Sequence, residues 1–306
     1  MDRNAPPSLR ARAACVAARW LVSPSLSSSA PPAARRARLE RVARLARLPP
    51  PPGTRIEAAT FRGVPGEWVR NARVTSRRTV LYLHGGAYIL GSTKVYRELT
   101  TRIVRAWSAQ VAAINYRLAP EHPFPCAIED ALDAYRALLE QGIAAKEIVI
   151  AGDSAGGGLA LACVLQARDS GLPLPAQLVL FSPWVDLTVS GHSAAELKRD
   201  DILDAERLRA SAGDYLAGQP ATAPLASPLL ADLHGLPPTL IQVTDREILL
   251  DDSRRLLDAL HAAGSPADLR VWPGLWHVWQ VFAGLVPEAD AALAEAAVFL
   301  DRGHSP

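Results

Sequence analysis

Short apolar runs recur along this 306-residue chain, mostly separated by helix-length segments, and few folds accept that alternation. After Gly53, "RIEAATF" and "GEWVRN" form a leading pair of β-like runs, followed by "TVLYLH", "QVAAIN", "EIVIAG", "QLVLFS", "TLIQVT" and "LRVW". The later runs have too few polar positions to show one face to water. They suit a parallel α/β sheet whose strands are covered on both faces by the intervening helices. Ligands then collect beyond the carboxyl ends of the strands, so functional residues are expected just after each run. Residues 183–237 break the pattern. They are too long for one crossover and hold a helix-like "DAERLRASAGDYL" before the Pro-rich "QPATAPLASPLL", as expected of an inserted lid.

The first 48 residues stand apart in charge. They carry ten arginines against Asp2 and Glu40, a local +8 in a chain of net +2, which leaves −6 for the rest. A nucleic-acid or membrane arm is one reading of that excess. In "RRARLERVARLARL", however, Leu39, Val42, Ala43 and Ala46 recur at helical spacing, which predicts a helix with this stripe inward and its arginines on an ordinary solvated face. The punctuation "LPPPPG" separates the arm from the body. No run approaches the roughly 20 apolar residues of a membrane span, and "ARAACVAARWLV" is cut by Arg12 and Arg19, which spoils a secretory segment. A cytoplasmic location is the expectation. Cys15, Cys126 and Cys163 are scattered and suggest neither a disulfide framework nor a zinc site, and no cofactor or metal is expected.

The densest chemical signal is Gly152-Asp153-Ser154-Ala155-Gly156, a G-x-S-x-G sequence lying between a predicted strand and a predicted helix. That context suits a nucleophilic serine on a strained elbow, with a helix N-terminus beneath it to favour developing negative charge. Gly157 and Gly158 extend the small-residue run, as though something must approach Ser154 closely. A phosphate loop does not fit, since neither G-x-G-x-x-G nor G-x-x-x-x-G-K-[ST] is present. His84-Gly85-Gly86-Ala87 follows the strand run "TVLYLH" and could turn backbone N–H groups toward an oxyanion together with the Ala155 N–H. His277 comes after the last strand run, flanked by Trp276 and Trp279, where the serine–acid–histidine order places the base. Four carboxylates follow "TLIQVT". Asp245 and Glu247 lie near enough to the strand end to reach His277, whereas Asp251 and Asp252 fall in the next helix's first turn.

The stretches "LYLHGGAYILGS", "NYRLAPEHPFPCAIEDA", "GDSAGGGLA", "SPWVDLT", "SPL", "EILLDDS" and "VWPGLWHVWQ" together resemble the bacterial hormone-sensitive-lipase family (family IV) of α/β-hydrolase carboxylesterases. Within it the chain is most similar to the acetyl-hydrolase and monoterpene ε-lactone hydrolase-like group. The resemblance implies an α/β-hydrolase fold: a mostly parallel eight-stranded sheet flanked by helices, with a small helical cap. The implied division is an N-terminal arm, residues 1–48, contributing to the cap, a catalytic domain from residues 49–182 and 238–306, and a cap insertion at 183–237. It also implies a catalytic triad of Ser154, Glu247 and His277, because the family's D-P-L-x-D segment lies over Glu247 to Asp251 without a gap and leaves Asp245 two residues early. The oxyanion hole is expected from Gly85, Gly86, Ala87 and Ala155. Ala87 stands where the family has a third glycine, which bears on the size of group the pocket accepts. "YRLAPEHPFP" is assigned a bracing role.

The expected function is hydrolysis of short-chain acyl esters through an acyl-enzyme. A lactone hydrolase of the same family and a non-catalytic ligand-binding homologue are the alternatives. The expected partner is a small-molecule ester, with no nucleic acid, no stable membrane insertion, and a homodimer left open.

Overall fold

A computed structural model describes residues 6–27, 30–197 and 200–302. The arm forms α1 (Leu9–Leu21), α2 (Ser23–Ser27) and α3 (Pro32–Leu45). Beyond it come β1 (Thr54–Phe61), β2 (Val64–Asn71), β3 (Thr79–Leu83), α4 (Thr93–Ala106), β4 (Gln110–Ile114), α5 (Cys126–Glu140), β5 (Ile148–Asp153), α6 (Ala155–Asp169) and β6 (Gln177–Phe181). The stretch after β6 contributes α7 (His192–Leu197) and α8 (Ala205–Leu216), and the chain then closes with β7 (Thr239–Thr244), α9 (Leu250–Ala262), β8 (Ala267–Trp272) and α10 (Pro287–Arg302). Each predicted run is a strand, shifted by no more than two residues at either end.

The eight strands form one sheet in the order β1-β2-β4-β3-β5-β6-β7-β8. The β1–β2 and β2–β4 pairs are antiparallel, and every later pair is parallel. The sequence pattern follows from this layout. Every residue of β3, β5, β6 and β7 is buried, so none of them can alternate polar with apolar. β1, on the sheet's edge, is mostly exposed and carries Arg55, Glu57 and Thr60 among its apolar residues. α6 is apolar on nearly all sides because it packs against β5 and β6 beneath and α5 beside it. Among the described residues no helix is long and apolar enough to cross a membrane.

The arm is fastened by polar contacts that the apolar stripe did not announce. Ser8 caps α1 by accepting from the Ala11 N–H, while its own N–H and hydroxyl donate to Glu288 of α10. Leu39, Val42, Ala43 and Ala46 all line a cavity, although of the four only Leu39 is buried and Ala46 is exposed. The arginines, however, are not all solvated. Arg35 donates to the carbonyls of Ser25 and Leu26, and Arg36 reaches the carbonyls of Ile89 at 2.7 Å and Ala119 at 2.7 Å while pairing with Glu121 at 2.8 Å. A guanidinium is long and forked enough to cross from the flank of a helix to a neighbouring loop's carbonyls, which a stripe drawn by residue type cannot register. Arg36→Ala leaves two part-buried carbonyls unpaired, and since the Glu121 carboxylate is half exposed, those carbonyls carry most of the effect. The expected cost is about 1–3 kcal/mol, read as a lowered Tm; an unchanged Tm would show that the clamp contributes nothing.

Candidate active site

β5 runs directly into α6 at Ser154, which holds φ 52° and ψ −123°. This left-handed conformation costs a non-glycine residue about 1–3 kcal/mol and persists only where its surroundings enforce it. The Ser154 N–H donates to the Phe181 carbonyl at 2.8 Å, and the Ser154 carbonyl accepts from Trp184 at 2.9 Å. The flanking glycines are required by the turn's tightness. A Cβ on Gly152 would lie 2.2 Å from the Gly156 carbonyl oxygen, and one on Gly156 would lie 2.1 Å from that of Leu83. At Gly158 the obstruction would be the Trp184 carbonyl, at 2.1 Å. The small residues around the serine therefore admit the chain's own backbone, and the hydroxyl's free side faces a cavity.

Past β3 the loop from His84 to Ala87 folds over the elbow. Gly86 has φ 122° and Ala87 has φ 54°, so alanine sits in left-handed backbone here. The Gly85 N–H donates to Asp153 Oδ1 at 3.0 Å, which removes Gly85 from the expected oxyanion donors. Its lack of a side chain serves packing instead, since a Cβ would lie 2.2 Å from Asp153 Oδ2. The N–H groups of Gly86, Ala87 and Ala155 have no acceptor among the described residues, the last because it opens a helix. Asp153 is buried and also accepts from the hydroxyls of Tyr82 at 2.7 Å and Tyr96 at 2.8 Å. Burial pushes its pKa up to about 6 against the pull of those donors, so it is ionised at neutral pH. Sequence reasoning passed over Asp153 as the variable position of the motif. Its signal was a carboxylate at the end of a fully apolar strand, which must find donors. "YRLAPEHPFP" does brace this loop: Tyr116 donates to the His84 carbonyl at 2.7 Å, and Ala119 donates to the Tyr88 carbonyl at 2.9 Å. His84 stacks on Tyr116 and donates through Nδ1 to the Gly85 carbonyl; burial lowers its pKa to about 4, so the ring stays neutral.

The loops after β7 and β8 complete the constellation. His277 Nδ1 lies 2.7 Å from Glu247 Oε2, with Glu247 wholly buried and His277 nearly so. A carboxylate only accepts, so Nδ1 carries the proton and Nε2 of the neutral ring is left as an acceptor. Burial alone would lower the His277 pKa, but the charge and hydrogen bond of Glu247, together with the charges of Asp200 and Asp153, outweigh it and the net shift is upward. Asp245 points elsewhere. It is exposed and accepts from the Gly274 N–H at 2.7 Å. Asp251 accepts from the Ser193 N–H at the start of α7, and Asp252 from the N–H groups of Val185 and Asp186 in the loop after β6, so all three other acids are engaged elsewhere. A further carboxylate, Asp200, accepts from Ile202, Leu203 and Ile248 N–H groups and pins the residue next to Glu247.

Ser154, His277, Gly86, Ala87 and Asp153 line one cavity of about 310 Å³. Its walls include Ala14, Ala18, Leu39 and Val42 of the arm and Ile202, Leu203 and Leu208 around the start of α8. Of the two tryptophans that flank His277 in sequence, Trp276 lines it, whereas Trp279 is buried against Trp272 and does not. Among the described residues, no group of three or more His, Cys, Asp or Glu side chains is gathered where a metal ion could sit.

A family model for the alpha/beta hydrolase fold matches residues 80–281. The crystal structure of an esterase from the bacterial hormone-sensitive lipase family superposes with a TM-score of 0.92 at 38% identity, covering 98% of this chain and 100% of that one. The chain belongs to this branch of the α/β-hydrolase family. An acetyl-hydrolase of Streptomyces hygroscopicus is 47% identical to this hydrolase over 251 residues, 82% of this chain and 83% of the relative. An esterase of Acinetobacter venetianus is 40% identical over 280 residues, 90% and 91% of the two chains.

Proposed function

We propose that this carboxylic ester hydrolase works through Ser154 as nucleophile, His277 as general base and acid, and Glu247 as the carboxylate that orients His277. The observation that carries the proposal is the 2.7 Å contact between His277 Nδ1 and a fully buried Glu247, which fixes the tautomer that leaves Nε2 free to take a proton. Ser154 Oγ attacks the ester carbonyl as His277 removes its proton, and the oxyanion takes hydrogen bonds from the N–H groups of Gly86, Ala87 and Ala155. His277 then protonates the leaving alcohol. Water, activated by the same imidazole, releases the acid and restores the serine.

The protonation of His277 sets the acid limb of the pH profile. Only the neutral ring accepts the serine proton, and its pKa lies above the ordinary 6.5. The log of kcat/KM is therefore expected to fall with decreasing pH through a midpoint above 6.5, a midpoint that moves down in Glu247→Gln. A midpoint unmoved by that substitution would detach Glu247 from the base.

The preferred substrates in this proposal are esters of short acyl chains. The cavity is small for a ligand pocket, and Ala87, which lines it together with Ser154, adds a methyl that glycine would not. The arm and residues 183–237 act as the cap that roofs it. On a series of p-nitrophenyl esters, kcat/KM should peak between acetyl and about hexanoyl and fall at least tenfold by dodecanoyl, since the roof leaves the longer chain no buried path. A rise toward long chains would overturn that preference, and lactones assayed in parallel test the nearest alternative.

A further inference from the structure

In α1 the usual arrangement of a surface helix is inverted. Its buried face is made of the small residues Ala11, Ala14 and Ala18, whereas Leu9, Val16 and Trp20 point outward with 82%, 58% and 72% of their surface exposed. These three recur at i, i+7 and i+11, so they form a single stripe, with the exposed Ala13 between them. Exposed Arg10, Arg12 and Arg19 flank it, and none has an ion-pair partner among the described residues. The stripe adjoins the mouth of the active-site cavity, because the same helix lends Ala17 and half-exposed Leu21 to the lining. The same lining includes Leu285, 46% exposed, and two more exposed guanidiniums, Arg47 and Arg207. Glu40, the one acid of the described arm, is already bonded to Ser92.

We propose that this face of the arm docks on an anionic lipid surface, with Trp20, Val16 and Leu9 seated among the head groups and the arginines paired with lipid charge, so that the cavity opens onto the interface. An apolar stripe with tryptophan at one end and cations along both flanks is the composition of helices that lie in the plane of a membrane interface. A second copy of the chain fits the same face poorly. In a two-fold contact the patch meets a second copy of itself, so Arg10, Arg12 and Arg19 would face a like-charged surface that offers them no free acid of the described arm. A nucleic acid would satisfy the arginines and leave Leu9 and Val16 in water. Docking in this orientation would let a short-acyl ester carried by an amphiphile reach Ser154 without crossing water. That consequence rests on the ester-hydrolase reading, but the docking itself does not.

Co-sedimentation of the full chain with vesicles tests the proposal. With phosphatidylcholine containing a third phosphatidylglycerol, binding at low salt should exceed that to pure phosphatidylcholine by at least about tenfold and fall by a similar factor in half-molar salt. Val16→Ser with Trp20→Ser, and separately Arg12→Glu with Arg19→Glu, should each reduce vesicle binding at least fivefold while hydrolysis of a soluble short ester stays within about twofold of the parent. Ser154→Ala should bind vesicles like the parent, so a failure of docking and a failure of the catalytic assignment are told apart. Equal binding to neutral and anionic vesicles, or unaltered binding by the double-serine variant, would overturn the proposal. So would a salt-stable dimer in sedimentation velocity that dissociates in the double-serine variant, which would give the stripe to a second copy.

Discussion

Ser154→Ala is expected to lower kcat by on the order of 10³-fold or more and to leave the protein folded. The elbow is held by the backbone, through the Ser154 N–H to Phe181 and the Ser154 carbonyl to Trp184, and by the close approach of Gly156 to the Leu83 carbonyl. None of these contacts uses the hydroxyl. Alanine meets the same left-handed strain as serine at φ 52°, so the substitution should not alter stability appreciably, and Tm is the control. Residual turnover should reflect binding and the oxyanion donors alone. Near-normal kcat would remove Ser154 from the mechanism.

Glu247→Gln is expected to cost on the order of 10³- to 10⁴-fold in kcat, and Asp245→Asn less than about tenfold. Glutamine keeps the size of the side chain but removes the charge that favours imidazolium, and it can present an N–H where His277 Nδ1 needs an acceptor. The substituted side chain has little room to rearrange, because Glu247 is fully buried and its other oxygen lies near the Thr244 N–H at 3.4 Å. Asp245 is exposed and accepts from the Gly274 N–H and the Thr244 hydroxyl, a role that an asparagine oxygen can also fill. Steady-state kinetics on one soluble ester decide between the two, and the opposite ranking would pass the role to Asp245.

The sheet was legible because burial on both faces leaves strands such as β5 and β6 almost free of polar residues. The elbow was legible for a related reason: only glycine fits at 152 and 156, so steric demand is written in residue type. The choice of Glu247 over Asp245 followed from register against the family and not from chemistry, since both stood in reach of His277 and only their hydrogen-bond partners distinguish them. What the sequence hid depends on direction. Arg36 turns back to Ile89 and Ala119 instead of into water, Gly85 spends its N–H on Asp153, and Trp279 packs on Trp272 while its neighbour Trp276 faces the cavity. In α1 the alanines face inward, Ala14 and Ala18 onto the cavity, while Leu9, Val16 and Trp20 stand at the surface against the usual rule.

The most direct measurement for Ser154 as the nucleophile is covalent labelling with an organophosphate ester that phosphorylates activated serines, followed by mass spectrometry of the intact protein and of its peptides. Loss of esterase activity should track the addition of one phosphoryl group per chain, carried by the peptide containing Ser154, and labelling should slow at least 10³-fold in His277→Ala because the serine then lacks its base. Full labelling with activity retained, or an adduct on any residue other than Ser154, would contradict it.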